Sequence, residues 1–153
     1  FNVRGWSRRE KRVDGILCFY GDDQIDSSLL DADIVVLLLP DTPLTQNILN
    51  QHTLNLLKRG AFVLNPGRGR LIDDDALLAA LETGQIEHAT LDVFRIEPLP
   101  KNHQYWSNNK VTVIPHKASE TRPKTASQVI AMNIERAENG QELLYLVDRE
   151  NGY

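Results

Sequence analysis

Apolar runs of strand length alternate with stretches of helical period along most of the chain, and this alternation predicts a parallel sheet built from βαβ units. The runs FNVRGW (1–6), ILCFY (16–20), IVVLLL (34–39), AFVLN (61–65), ATLDVF (89–94) and VTVI (111–114) are the expected strands. Uninterrupted Val, Ile and Leu over 34–39 predicts burial on both sheet faces, as a central parallel strand requires. Helical spacing covers residues 24–31, 50–58, 73–83 and 122–139. The third of these is marked at both ends. Asp73 is suited to cap it, Asp74 and Asp75 to favour its positive first turn, and Gly84 to stop it, with Leu77, Leu78 and Leu81 facing inward. In the last helix Ala126, Val129, Ile130, Ile134 and Ala137 form a stripe expected to be buried, and Gly140 ends it. Leu143, Leu144, Tyr145, Leu146 and Val147 beyond it are expected to pack on something else.

Length and composition narrow the reading without naming a chemistry. At 153 residues and 41% apolar the chain suffices for one domain with a core. The net charge of -4 gives no overall basic field to hold nucleic acid. Locally, Arg4, Arg8, Arg9, Lys11 and Arg12 crowd the start against Glu10 alone, either as a solvated surface or as an anion site. Cys18 is the only cysteine, so no disulfide forms within the chain and a reducing compartment fits best. No secretory segment or apolar run of membrane-spanning length occurs, and the expectation is a cytoplasmic protein with neither membrane nor nucleic acid as partner. Phe1 lies inside a predicted strand, so the chain is expected to start partway through a longer protein.

In open α/β sheets ligands bind beyond the carboxyl ends of the strands, so the residues that follow each strand carry the functional question. They are Ser7 and Arg8, then Pro40 and Thr42, Gly67 and Arg68, Glu97 and Pro98, and Pro115 and His116. The stretch VLNPGRGRLIDDDAL superficially suggests a phosphate loop. A G-x-G-x-x-G turn needs a third glycine where this chain has Ile72, however, and Asp73, Asp74 and Asp75 would repel phosphate from the helix end that should attract it. Arg68, between Gly67 and Gly69, instead offers a guanidinium fork that matches a carboxylate; the alternative is a surface arginine in a glycine turn. A glutamate such as Glu97 beside a histidine such as His116 would favour the imidazolium, a proton donor usable near neutral pH; taken singly, a histidine such as His116 is more often an ordinary loop residue. His52, His88 and His103 show no ligand spacing with one another or with Cys18, so no metal site is expected.

LNPGRGRLIDDDALLAALETGQIEHATLDVFRIEPLP followed by VTVIPHKASETRP resembles the nucleotide-binding domain of the D-isomer-specific 2-hydroxyacid dehydrogenases, and the similarity extends over essentially the whole chain. The resemblance implies a Rossmann-like, doubly wound parallel α/β sheet and the reduction of small 2-oxo acids, glyoxylate and hydroxypyruvate foremost. It puts the family's carboxylate-holding arginine on Arg68, its proton donor on His116, and the glutamate that orients and charges that histidine on Glu97. Asp92 falls on the aspartate at the nicotinamide end, Leu39 and Pro40 on positions lining the adenosine side, and Gly67 on a small residue packed near the nicotinamide. At the second family strand, NAD enzymes place an acid for the ribose hydroxyls, whereas a 2'-phosphate calls for cations. Ser7, Arg8, Arg9 and Lys11 precede or flank the lone Glu10, so NADP(H) is the expected cofactor, with NAD(H) the alternative.

Two departures qualify what the resemblance implies. No G-x-G-x-x-G turn occurs in the chain, so 1–140 is read as a nucleotide-binding domain truncated at its N-terminus and 141–153 as a tail returning to a substrate domain. Strands 1–6 and 34–39 are then expected to lack the neighbour between them, and the isolated polypeptide to bind cofactor poorly, without activity of its own, or to associate through exposed edges. Lys117 stands where the family usually has an apolar residue. In the full-length protein the family implies a homodimer. The competing class is a nucleotide-sensing interaction module of the corepressor type, which resembles the same family; the lack of a disordered extension favours the enzyme.

Overall fold

The computed structural model describes residues 1–149, and the chain divides into two compact units, the first Phe1–Pro115 and the second from His116 onward. The last four residues of the expected 141–153 tail lie outside the described residues.

The first unit alternates short strands and helices: β1 (Arg4–Ser7), β2 (Leu17–Tyr20), α1 (Ile25–Leu29), β3 (Ile34–Val36), α2 (Gln51–Leu56), β4 (Ala61–Asn65), α3 (Asp74–Thr83), β5 (Ile86–Leu91) and β6 (Val111–Val113). All strand pairs are parallel, in two sheets of order β1-β2 and β3-β4-β5-β6. No strand among the described residues joins β1 to β3, which is the gap expected between strands 1–6 and 34–39.

Local chemistry explains the best-placed helix. The Asp73 carboxylate accepts the Ala76 N–H at 3.1 Å, Asp74 and Asp75 occupy the first turn, and Gly84 ends the helix with φ 72°, a left-handed conformation that costs glycine nothing. Leu77 and Leu81 are fully buried and Leu78 half-buried; with Leu54 and Leu57 they pack on Val63, Ile86, Ala89 and Leu91 of the sheet.

The sheet departs from its predicted form in three ways. β5 runs over 86–91 instead of 89–94, because Ile86 pairs with Ala61 and Leu91 with Asn65, and residues 92–94 then leave the sheet as the start of a loop. β3 ends at Val36, and the chain turns away after one further backbone bond, from the Leu37 N–H to the Leu64 carbonyl at 2.9 Å. Burial of 34–39 on both faces does not hold. Ile34 and Val36 are 47% and 49% exposed, and in β4 Ala61, Val63 and Asn65 are buried while Phe62 and Leu64 are exposed. The helices α2 and α3 join one core cluster on a single face, so the apolar run has a cover on that side alone.

The second unit contains α4 (Pro123–Glu138), preceded by Arg122 and started by proline at a position where a missing N–H is no loss. Its expected buried stripe is a correction: Ala126 and Val129 are half-buried, Ile130, Ile134 and Ala137 are exposed, and the helix has no buried residue. The pattern is amphipathic, but among the described residues no element of this unit lies across the apolar face. Asn133 ties the helix to the following segment, its side-chain oxygen accepting the Leu144 N–H at 2.8 Å and its amide donating to the Leu144 carbonyl at 3.1 Å. Tyr145, Leu146 and Val147 remain exposed. Among the described residues no helix is long and apolar enough to cross a membrane.

A polar contact anchors the loop between β5 and β6. The buried Tyr105 hydroxyl donates to Asp74 at 2.9 Å, and His103 Nε2 stands 3.7 Å from the same carboxylate. Burial raises Asp74 above the usual carboxylate value of 3.8, outweighing the Tyr105 bond and the nearby His103 and Arg95. A raised carboxylate favours folding below its unfolded pKa and loses that contribution as pH rises through the folded value. Asp74→Asn keeps an acceptor for Tyr105 without the buried charge, so its melting temperature is expected to exceed the parent's at neutral pH. The difference should shrink as the pH falls towards 3.8; thermal melts across that window check the sign.

Candidate functional site

The site is built where β4 ends. Asn65 is buried at its last position, and its side chain bridges the turn that follows: the side-chain oxygen accepts the Gly67 N–H at 3.1 Å, and the amide donates to the Arg68 carbonyl at 2.9 Å. Arg68 is thereby held in an extended conformation (φ -141°, ψ 141°), exposed, with its guanidinium donating to the Gly67 carbonyl at 2.7 Å. A single helical turn of the tight 3-10 type, Gly69–Leu71, then leads to Asp73 and α3. The stretch is not a phosphate cradle: its arginine faces outward, and its helix start is occupied by the Asp73 cap.

Both glycines are dictated by packing. A Cβ at Gly67 would sit 2.7 Å from the Leu37 carbonyl oxygen, against the end of β3. A Cβ at Gly69 would overlap the carbonyl group of Phe94 and stand 2.5 Å from the Arg95 nitrogen. The Phe94–Arg95 peptide therefore lies directly on the arginine turn.

Three segments converge here. Asn47 donates its N–H to the Arg70 carbonyl, Leu49 to that of Leu71, and Asp73 returns a bond to Leu49, all at 2.9–3.0 Å. The loop after β5 supplies Asp92, which is buried and donates its N–H to the Asn65 carbonyl at 3.0 Å, and Glu97, whose Oε1 accepts the Phe94 N–H at 2.9 Å. The Glu97–Pro98 peptide is cis. Asp92 and Glu97 thus stand on the loop next to the Arg68 turn. A cleft of about 410 Å³ lies elsewhere, beside Lys11, Arg12 and Cys18; a second, of about 370 Å³, lies between Arg70, Asp74, Arg95, Leu99 and His103.

The remaining predicted residues fall as follows. Leu39 and Pro40 are half-buried after β3, and the Pro40 carbonyl accepts from the Thr45 hydroxyl at 2.6 Å. Ser7 closes β1, its hydroxyl donating to the Arg9 carbonyl at 2.8 Å. Arg8 is half-buried, whereas Arg9 and Lys11 are exposed. Glu10, the only acid among them, is paired with Arg12 at 3.2 Å. His116 is the first residue of the second unit, exposed, with φ 51°, the left-handed region that non-glycine residues seldom occupy. Among the described residues no group of His, Cys, Asp and Glu side chains is arranged to hold a metal ion.

Residues 1–118 match the family model of the D-isomer specific 2-hydroxyacid dehydrogenase NAD-binding domain. The chain belongs to the D-isomer-specific 2-hydroxyacid dehydrogenases. Over all 153 residues it is 41% identical to glyoxylate/hydroxypyruvate reductase A of Yersinia enterocolitica and 45% identical to that of Serratia proteamaculans. In each case 100% of this chain covers 49% of the relative, so the chain spans about half the length of the curated relatives it matches. Among solved structures, a dehydrogenase of the family from Xanthobacter autotrophicus, in complex with NADPH and MES, is 45% identical with a TM-score of 0.97, across 100% of this chain and 63% of that one. The NADPH-dependent glyoxylate/hydroxypyruvate reductase of Sinorhizobium meliloti, in complex with NADP and sulfate, is 33% identical with a TM-score of 0.94, across 100% and 50%.

Residue type and position after a strand single out Arg68 and Glu97, and the family resemblance adds Asp92, but neither points to the groups that hold them. Asn65 carries a readable signal: in the two-residue alternation of β4 it falls on the buried face with Ala61 and Val63, where a polar residue needs a partner. Gly69 and Arg95 carry none, because what they touch lies more than 20 residues away along the chain.

Proposed function

We propose that this domain serves an NADPH-dependent reductase of small 2-oxo acids, glyoxylate and hydroxypyruvate foremost. The observation that carries the reading is the pairing of an outward Arg68, fixed by Asn65, with Glu97 on the loop packed against its turn. Relatives at 41–45% identity bear the reductase name, and similar solved dehydrogenases hold NADPH or NADP.

The residues present fit the two ends of the cofactor. After β1, Ser7, Arg8, Arg9 and Lys11 present a hydroxyl and three cations, and Glu10 is neutralised by Arg12, a donor set suited to a 2'-phosphate. Leu39 and Pro40 would line the adenosine side, with Asp92 and Gly67 at the nicotinamide end. When bound, the cofactor supplies the hydride.

The chain's own residues do the rest. Arg68 holds the substrate carboxylate with its planar fork and draws electron density from the adjacent carbonyl. His116 gives its proton to the oxygen of that carbonyl as negative charge develops there. Glu97 takes the role that the family resemblance gives it, orienting the imidazole in the full-length enzyme.

The test is NADPH consumption by the full-length protein against a panel containing glyoxylate, hydroxypyruvate and larger 2-oxo acids. Saturable turnover of the short acids is expected, and no turnover of any would refute the proposal. For cofactor choice, Arg8→Ala is expected to raise the KM for NADPH about tenfold or more, in the range of a lost charge-assisted bond, and that for NADH much less. Equal effects on the two cofactors would contradict the 2'-phosphate assignment.

A further inference from the structure

Arg95 has no part in the chemistry proposed above, yet its side chain occupies the junction of the three segments that build the site. A single guanidinium nitrogen, Nη1, donates to the Asn47 side-chain oxygen at 2.6 Å and to the Ile72 carbonyl at 2.7 Å. Ile72 closes the turn that begins at Arg68, and Asn47 opens the segment zipped to that turn by backbone bonds. Arg95 itself belongs to the Glu97 loop: the Phe94 N–H on one side of it is held by Glu97, and the Phe94–Arg95 peptide rests on Gly69.

Gly69 sets how closely the loop approaches the turn, but a flat contact of peptide on glycine does not stop one from sliding over the other. The two bonds from Arg95 supply that restraint, since they run from the loop to fixed acceptors on both neighbouring segments. Asn47 is itself shaped for the purpose: it holds φ 53°, a left-handed conformation that asparagine tolerates better than most residues. Both bonds are made by a charged donor, which strengthens them relative to neutral pairs.

We propose that Arg95 is a positioning residue that sets the place of Glu97 relative to Arg68. The inference rests on the reductase reading, because it assigns Arg95 a role through two residues of that mechanism. Displacement of about 1 Å in such an arrangement is enough to cost up to about a hundredfold in rate.

The experiment uses the full-length enzyme and four variants: Arg95→Met, which keeps the stem and loses the donors, Arg95→Lys, Asn47→Gly, which removes the acceptor without straining the backbone, and Arg95→Met with Asn47→Gly. The expected result for Arg95→Met is a kcat about tenfold to a hundredfold lower for the 2-oxo acid, with the KM for NADPH unchanged. Arg95→Lys should recover part of the loss, and adding Asn47→Gly to Arg95→Met should cost little more, since the bond to Asn47 is already lost with the Arg95 donors. An active parent enzyme whose Arg95→Met variant keeps its kcat, or whose two substitutions add fully, overturns the inference and leaves the reductase reading standing. A parent enzyme without turnover of any 2-oxo acid removes both.

Discussion

Arg68→Ala in the full-length enzyme is expected to lower kcat/KM for 2-oxo acid reduction by on the order of a hundredfold to a thousandfold, the usual cost of deleting one preorganised donor aimed at developing charge. In the proposed mechanism most of this arises because Arg68 would act twice, on the carboxylate in the ground state and on the carbonyl as it gains charge. Arg68→Lys tests the division: a lysine retains the positive charge but not the planar fork, so binding should recover more than turnover. His116→Ala is expected to cost about 100- to 10,000-fold in kcat, the range of a lost general acid, with little change in the KM for the acid. Steady-state kinetics with NADPH saturating separates the two signatures. Near-parent turnover in either alanine variant would remove that residue from its assigned role. The folding control is favourable for Arg68, whose side chain is exposed and makes one bond, to its own turn, so its loss should leave the melting temperature nearly unchanged.

The parts of the fold that were legible beforehand are those encoded by neighbours in sequence. The run 61–65 is a strand with the predicted bounds, and α3 carries its cap, first-turn acids and glycine stop within eleven residues of Asp73. Boundaries set by pairing were less so: β5 begins three residues early because its register follows β4, which the sequence of β5 does not contain. Burial was the least legible property. The apolar faces of β3, β4 and α4 have the right composition for a core, but Ile34, Val36, Phe62, Ile130 and Ile134 are exposed, since composition records what a face would cover, not whether a partner lies across it. The site divides the same way. Arg68 and Glu97 are legible because each follows a strand of a parallel sheet, where side chains reach a common edge. The supports are not: Arg95 finds its acceptors on residues 23 and 48 positions away, and nothing in local pattern predicts such a meeting.

Gly69→Ala is expected to be the most damaging glycine-to-alanine change among the described residues. The new Cβ would occupy the space of the Phe94 carbonyl, and the obstruction is backbone, so no side-chain rotation relieves it. Either the Arg68 turn or the Glu97 loop must retreat, and a loss of more than about 3 kcal/mol is expected, beyond the upper end of ordinary overpacking. Gly60→Ala separates this from a purely conformational effect. Gly60 has φ 79° and open space around its Cβ position, so alanine there should cost only about 1–2 kcal/mol for its left-handed backbone. Gly67→Ala should fall between the two, because its Cβ would meet the Leu37 carbonyl oxygen at 2.7 Å, a shorter intrusion at the end of a strand. Urea melts of the three variants give the order directly; Gly69→Ala as stable as Gly60→Ala would mean that the loop yields freely and that the turn and loop are not locked together. The same variant also separates stability from positioning. Whatever Gly69→Ala protein remains folded has its Arg68 turn and Glu97 loop forced apart, so its kcat should fall further than its folded fraction. Gly60→Ala, remote from that contact, should lose activity only in proportion to the protein unfolded.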